Sequence, residues 1–453
     1  MSRSSAGHVR WSFGIFVLVI CFVAYLDRIA FSVSASPLMD ELDITPVQFG
    51  LATTVFNIGY FALQIPSGML IRRVGPRWAM AIALLGWSLF TGLTGLANSL
   101  TMLLAVRALF GAAEAPVFPS ANSFFANWFP AQERGRANAM MNAGGFLGPA
   151  VGAILLVPMI GVIGWRGGFL VCFLLGAAIT VIWVLLARDH PTQHRAVGAS
   201  EQAVILEGRE RRPAPQRAPW GVFLRSRSFW ALALAFFGTL WVVQFFIYWL
   251  PYYLEKGLGV PFAHVGTYTS ASFVVIVVSV LVAGTASDRI LRATGSRFLA
   301  RNVLSLAGLV VAASCLLLST TTQSVPLGVL WLSIALGGAG FAQTLAWTIA
   351  TDIGREFTAT VGSWMNMWGF IAAAIVPTVA PALAERLGWT AVITLDAAVA
   401  VLGIVGFLLV RSDTPLISAP DGSGRGNDRG SGDGTDGSGD DLRAGRSGST
   451  TPA

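Results

Sequence analysis

The sequence is poor in charge. Asp, Glu, Lys and Arg make up 12% of its 453 residues, while 54% are hydrophobic. A soluble globular chain carries about 25% charged residues, so the deficit excludes an ordinary water-soluble domain and points to a chain dissolved in a bilayer. Cysteine is scarce as well. Cys21, Cys172 and Cys315 fall in three different apolar runs, which gives neither a disulfide framework nor a metal-ligand spacing. His8, His190, His194 and His264 all fall in expected loops or termini, and His190 and His194 merely flank Pro191 in a polar linker. Metal, phosphate-loop and nucleophile–base patterns are missing, and the stretches outside the apolar runs are too polar to form a catalytic domain. The chain therefore reads as neither an enzyme nor a cofactor protein. The net charge of +7 comes from arginines in short segments between apolar runs. That is the distribution of cytoplasmic loops, not of a nucleic-acid surface. The first apolar run lacks a small-residue cleavage site and reads as a retained helix.

What the sequence has in abundance is long apolar runs. Twelve candidate crossings lie near 11–33, 48–70, 78–98, 101–123, 136–160, 166–187, 228–253, 265–287, 300–320, 325–350, 358–384 and 388–410. Arginine recurs in alternate loops: Arg72, Arg73 and Arg77, then Arg134 and Arg136, then a long arginine-rich linker, then Arg289 to Arg301. The first loop on the other side is acidic, with Asp40, Glu41 and Asp43. Both termini are thus expected in the cytoplasm and the protein in the cell inner (plasma) membrane. The expected organisation is a cytoplasmic N-terminus (1–10), a six-helix bundle (11–187), a cytoplasmic linker (188–227), a second six-helix bundle (228–410) and a disordered, Gly/Ser/Asp-rich cytoplasmic tail (411–453). Two echoes between the halves predict parallel repeats: Gly68 to Arg73 against Gly284 to Arg289, and Gly164-Trp165 against Gly388-Trp389.

Four charges sit inside the apolar runs. Tyr25-Leu26-Asp27-Arg28 lies in the first and Arg107 and Glu114 in the fourth. An ionisable group at the helix centre costs roughly 2.5–3.5 kcal/mol on insertion scales, so it marks function by default. Adjacent helical residues point about 100° apart, so Asp27 and Arg28 each need a partner on another helix. Arg107 and Glu114, seven apart, share a face. At 1.5 Å per residue Asp27 lies about 24 Å from one surface and Arg107 about 9 Å from the other. Depth therefore pairs Asp27 with Arg107 and Glu114 with Arg28. The guanidiniums stay charged, whereas the carboxylates can be neutralised. Protonating both carboxylates leaves two unpaired guanidiniums in a low-dielectric cavity, which favours an anion and couples protons to its binding. Guanidinium meets a carboxylate bidentately, so an organic acid suits the site better than a cation. Tyr25, Tyr60 and Gln64 from the first half and Gln244, Tyr248 and Asn366 from the second are expected to bind it, with Gln343 and Ser363 as further candidates. Asp396, in the last segment, reads as structural.

The loop Arg72-Arg73-Val74-Gly75-Pro76-Arg77 after Gly68, and its second copy at Gly284 to Arg289, resemble the signature of the major facilitator superfamily. Arg72 stands where the first copy has aspartate; Asp288-Arg289 is intact. The resemblance implies an all-α membrane protein of twelve transmembrane helices in two six-helix bundles, with Arg73, Asp288 and Arg289 in the cytoplasmic gate. The four intramembrane charges are similar to those of the anion:cation symporter family, whose members take up sugar acids such as galactonate, glucarate and hexuronates, or aromatic and dicarboxylic acids, with protons. That resemblance implies that Asp27 and Glu114 are proton-coupling sites, that Arg28 holds the substrate carboxylate and that Arg107 partners Asp27. The expected function is proton-coupled import of an organic anion by a monomer. The alternative is a proton-coupled antiporter exporting a drug or metabolite, because Gly144, Gly148-Pro149 and Gly152 approach the antiporter pattern of drug exporters.

Overall fold

The structure, a computed structural model, describes residues 8–130, 133–206 and 219–417. The expected tail beyond Ile417 and the most arginine-rich part of the linker, 207–218, lie outside the described residues. All regular elements within them are helical. The first, α1, covers Val9–Val33, and the short α2 (Ala35–Leu42) ends on Asp43 in the left-handed region. Next, α3 (Pro46–Thr94) opens on a capping box: Gln48 N donates to Thr45 Oγ1 and Thr45 N to Gln48 Oε1. It is broken into two limbs by Gly75 at φ 81°, a conformation only glycine adopts freely, followed by Pro76. Helices α4 (Leu100–Glu114) and α5 (Val117–Trp128) meet end to end at Ala115-Pro116. α6 (Arg134–Leu186) is again two limbs, parted at Gly164.

In the linker, α7 (Ala199–Leu206) and α8 (Trp220–Arg225) are short. α9 (Arg227–Tyr252), α10 (Phe262–Thr294), α11 (Leu304–Thr321), α12 (Val325–Gly354), α13 (Thr358–Leu387) and α14 (Trp389–Leu409) follow. Gly164 (φ 72°, ψ 167°) and Gly388 (φ 81°, ψ 168°) turn the chain the same way before Trp165 and Trp389. The Gly-Trp echo is therefore an echo of backbone conformation. His264 lies on the first turn of α10, not in a loop, because Pro261 starts that helix earlier than the apolar run does.

Among the described residues nine helices are long and apolar enough to cross a membrane, or ten with the bent pair Pro46–Gln64 and Pro66–Thr94. Apolar side chains point outward along them: Val162 is 85% exposed and Leu281 66%. Charged residues do the opposite, with Asp27, Arg28, Arg107 and Glu114 all buried. This inversion defines a multi-pass membrane protein.

The stretch up to residue 187 and the stretch from 227 onward touch at one end, where α1 finishes and α3 begins. Ser32 Oγ donates to Tyr248 O (2.8 Å), Thr54 Oγ1 to Ala374 O (2.8 Å), Asn57 Nδ2 to Ala373 O (2.9 Å), and Ile154 N to Ser270 Oγ (3.0 Å). At Gly50 an added Cβ would lie 2.0 Å from Pro377 O, so only glycine lets α3 approach α13 there. Among the described residues these hydrogen bonds tie the end of α1 and the start of α3 to α9 and α13, and α6 to α10.

Part of the expected linker is built into the first stretch. Arg10 bonds Glu133 (2.8 Å) and, through Nη1 and its backbone N–H, Glu201 of α7 (3.1 Å). His194 packs edge-on against Phe13 and Trp128. Burial and nearby Arg188 hold its imidazole below the usual histidine range.

Candidate functional site

Arg28 and Glu114 form the centre. Arg28 Nη2 lies 2.7 Å from Glu114 Oε1 and Nε lies 3.1 Å from the same oxygen, with the side chains 6% and 0% exposed. This is the pairing that helix depth predicts. Glu114 is the last residue of α4, where Pro116 interrupts the helix, so its carboxylate comes from a joint in the backbone. The rings of Tyr25 (4.6 Å), Phe56 (5.1 Å) and Tyr60 (5.3 Å) surround the guanidinium, each such contact adding about 0.5–2 kcal/mol. Arg28 Nη1 has no hydrogen bond among the described residues. One nitrogen of a fixed cation is thus free, and the other two are held by a group that a proton can neutralise.

The expected Asp27–Arg107 pair is not formed. Asp27 Oδ2 accepts from Thr91 Oγ1 at 3.0 Å. Arg107 forms no ion pair among the described residues; it is stacked among Phe31 (4.1 Å), Phe110 (4.7 Å) and Phe56 (4.9 Å). Depth placed the two charges at similar heights, but depth carries no rotation. Asp27 faces α3 and α6, whereas Arg107 faces an aromatic seat.

Among the other expected binding residues, Tyr60 stacks on Phe370 of α13 at 5.0 Å, and half-buried Gln64 lies one turn further along α3. Tyr248 Oη donates to Asn57 Oδ1 at 3.2 Å. Gln244 is buried with Oε1 unpartnered, and so is Oε1 of half-buried Gln343. Asn366 is half-buried and Ser363 exposed. Asn57 was missed, although it shares a face with Tyr60 and Gln64 by the spacing of three and seven. Thr91 was missed because a hydroxyl in an apolar helix gives no signal of its own. The expected gating residues do not come together: Arg73 and Arg289 are exposed, and Asp288, 67% exposed, lies 3.6 Å from Arg301, which also pairs with Asp352 (3.2 Å). Asp396 accepts from Trp241 Nε1 at 2.8 Å and ties α14 to α9. The glycines that suggested an antiporter pack α6 against α1: a Cβ on Gly144 would lie 2.2 Å from Leu18 O, and one on Gly148 2.6 Å from Tyr25 Cβ.

A buried ion pair among helices apolar enough to cross a membrane suits a membrane transporter. The sequence model of the Major Facilitator Superfamily matches residues 17–377, and the chain belongs to that family. It is 30% identical to the "Probable L-galactonate transporter" of Escherichia coli K12, over 80% of this chain and 81% of that one. It is 29% identical to the "Probable sulfoacetate transporter SauU" of Cupriavidus necator (81% and 85%) and 26% identical to a D-galactonate transporter of Escherichia coli O6:H1 (92% and 99%). In fold it resembles the crystal structure of a bacterial homolog to the human lysosomal transporter Spinster, inward-facing and unoccupied, with TM-score 0.71 at 18% identity, over 90% of this chain and 98% of that one.

Proposed function

We propose that the protein imports an organic anion, a sugar acid or similar carboxylate, together with protons. Arg28 receives the anion's carboxylate after Glu114 is protonated and lets go of the guanidinium. Asp27 is the second proton site and Arg107 its partner in another conformation. Tyr25, Tyr60, Gln64, Gln244, Tyr248 and Asn366 read the remainder of the substrate. The observation that carries this reading is the 2.7 Å contact between Arg28 and Glu114, in which a protonatable group occupies the cation an anion needs. The names of the relatives support a carboxylate or sulfonate cargo.

In this reading α3 and α6 each make two crossings, parted at Gly75 and Gly164, and α4 with α5 makes one, which gives twelve. Residues 11–187 and 228–410 are two six-helix bundles that rock about the site, joined by the linker 188–227, with both termini in the cytoplasm of a monomer in the inner membrane. Arg73, Asp288 and Arg289 form the cytoplasmic gate. The test is uptake of D-galactonate, L-galactonate, D-glucarate and sulfoacetate into proteoliposomes under an imposed inward proton gradient. Accumulation of any of them supports symport. Proton entry driven by an outward substrate gradient identifies an antiporter and overturns it.

A further inference from the structure

Asp27 sits in a pocket of its own, where α1 meets the second limbs of α3 and α6. Thr91 Oγ1 donates to Oδ2 at 3.0 Å. The indole of Trp87, one turn earlier on α3, and the thiol of Cys172 on α6 face the same carboxyl. Neither closes a hydrogen bond with it: Asp27 Oδ1 and Trp87 Nε1 are both buried and unpartnered. The charged groups within electrostatic reach are Glu114 and Arg107 of α4, with Arg28 next in the chain. Arg107 Nε is itself buried and unpartnered. Two groups of opposite charge, each 1% exposed, are thus held apart, each short of a partner. A bare carboxylate with one donor and one orphaned oxygen is costly to bury, whereas a neutral carboxylic acid is much less so.

We propose that Thr91 is a positioning residue for the proton carried by Asp27. In this conformation its hydroxyl holds the neutral acid in the α3–α6 pocket, away from Arg107. Loss of the proton adds a charge attraction to that guanidinium, which outweighs the Thr91 bond and turns the carboxylate toward it. The inference rests on the proton-coupled reading above and adds the group that decides where the protonated acid rests.

The test is infrared difference spectroscopy on the purified full-length protein at neutral pH, with D-galactonate uptake in proteoliposomes as the second readout. The account expects a protonated-carboxyl C=O band that disappears in Asp27→Asn. Thr91→Val, which keeps the shape and removes the hydroxyl, moves that band to higher wavenumber, and Thr91→Ser restores it; Thr91→Ala replaces the valine variant if that does not fold. The pH profile of proton-driven uptake shifts by about half a unit to one unit toward alkaline pH in the hydroxyl-free variant, because a donor favours an ionised carboxyl over a neutral one. A missing Asp27 band, or a band indifferent to loss of the hydroxyl, overturns the proposal. The spectrum needs no substrate, so a wild-type protein that fails to take up D-galactonate or any other acid with protons counts against the transport reading separately.

Discussion

Arg28 on α1 and Glu114 at the end of α4 are 86 positions apart in the chain and 2.7 Å apart in space, both almost wholly removed from solvent. Nε and Nη2 both donate to Oε1, and Nε reaches Oε2 at 3.4 Å. An anion entering the site must compete with Glu114 for the same nitrogens.

Arg28→Ala should remove the cation for which Glu114 and the anion compete, and weaken binding sharply. Losing one partner of a buried, hydrogen-bonded charge pair costs about 2–5 kcal/mol, so affinity should fall about 30-fold or more. Arg28→Lys should recover only part of it, since ammonium cannot present the paired donors of the fork. Titration calorimetry with the transported acid checks this, alongside a melting curve that shows the variants folded. Wild-type affinity in a folded Arg28→Ala protein would remove Arg28 from the site.

Glu114→Gln mimics permanent protonation. The anion should bind at neutral pH at least as tightly as to the wild type, with a flatter dependence on pH, because nothing ionisable is left to hold the guanidinium. Affinity measured from pH 5 to 8 gives the answer, and a pH dependence as steep as the wild type's would contradict it.

Much of this was legible in the sequence, because a charge in an apolar run leaves few choices. Several helices, such as α1, α9, α12, α13 and α14, follow an expected segment within a few residues because long apolar runs set their length. Pro116 breaks the expected 101–123 run, and α10 continues to Thr294 because a polar helix end needs no apolar residues. The Arg28–Glu114 contact followed from depth. The Asp27–Arg107 expectation failed because 1.5 Å per residue fixes height and not azimuth: Thr91 on α3 takes the carboxylate and three phenylalanines take the guanidinium. The hydrogen bonds of Asn57 with Tyr248 and Ala373 were hidden because they join residues remote in the chain through neutral groups.

Asp396 gives a contrast among buried carboxyls. One oxygen holds Trp241 and the other is buried without a partner. Asp396→Asn keeps an acceptor for the indole and should leave both melting temperature and the pH profile of transport near wild type. Asp396→Leu orphans the indole and should destabilise by about 1–3 kcal/mol. Thermal melts and uptake assays of both variants check it; a displaced pH profile in Asp396→Asn would make this residue a proton site.

In the loop region after α1, Glu41 of α2 accepts from Arg166 Nε (2.8 Å) and Trp165 Nε1 (2.6 Å). Arg166 and Trp165 hold its carboxyl below the usual glutamate range. A lowered folded value means that the clasp stabilises fully above the ordinary range and is lost as pH falls through the lowered value. The melting difference between wild type and Glu41→Gln should therefore be constant from about pH 8 to 5 and shrink below about pH 4. A difference that grows in acid would contradict the sign.

The central claim is that Asp27 and Glu114 carry the protons that drive accumulation of the anion. The direct measurement is uptake into proteoliposomes under an imposed pH gradient, for the wild type, Asp27→Asn and Glu114→Gln side by side. The account predicts that the wild type concentrates the acid, while each variant binds it yet brings it no further than equilibrium. Full proton-driven accumulation by both variants would make the two carboxylates structural partners of their neighbours and contradict the account.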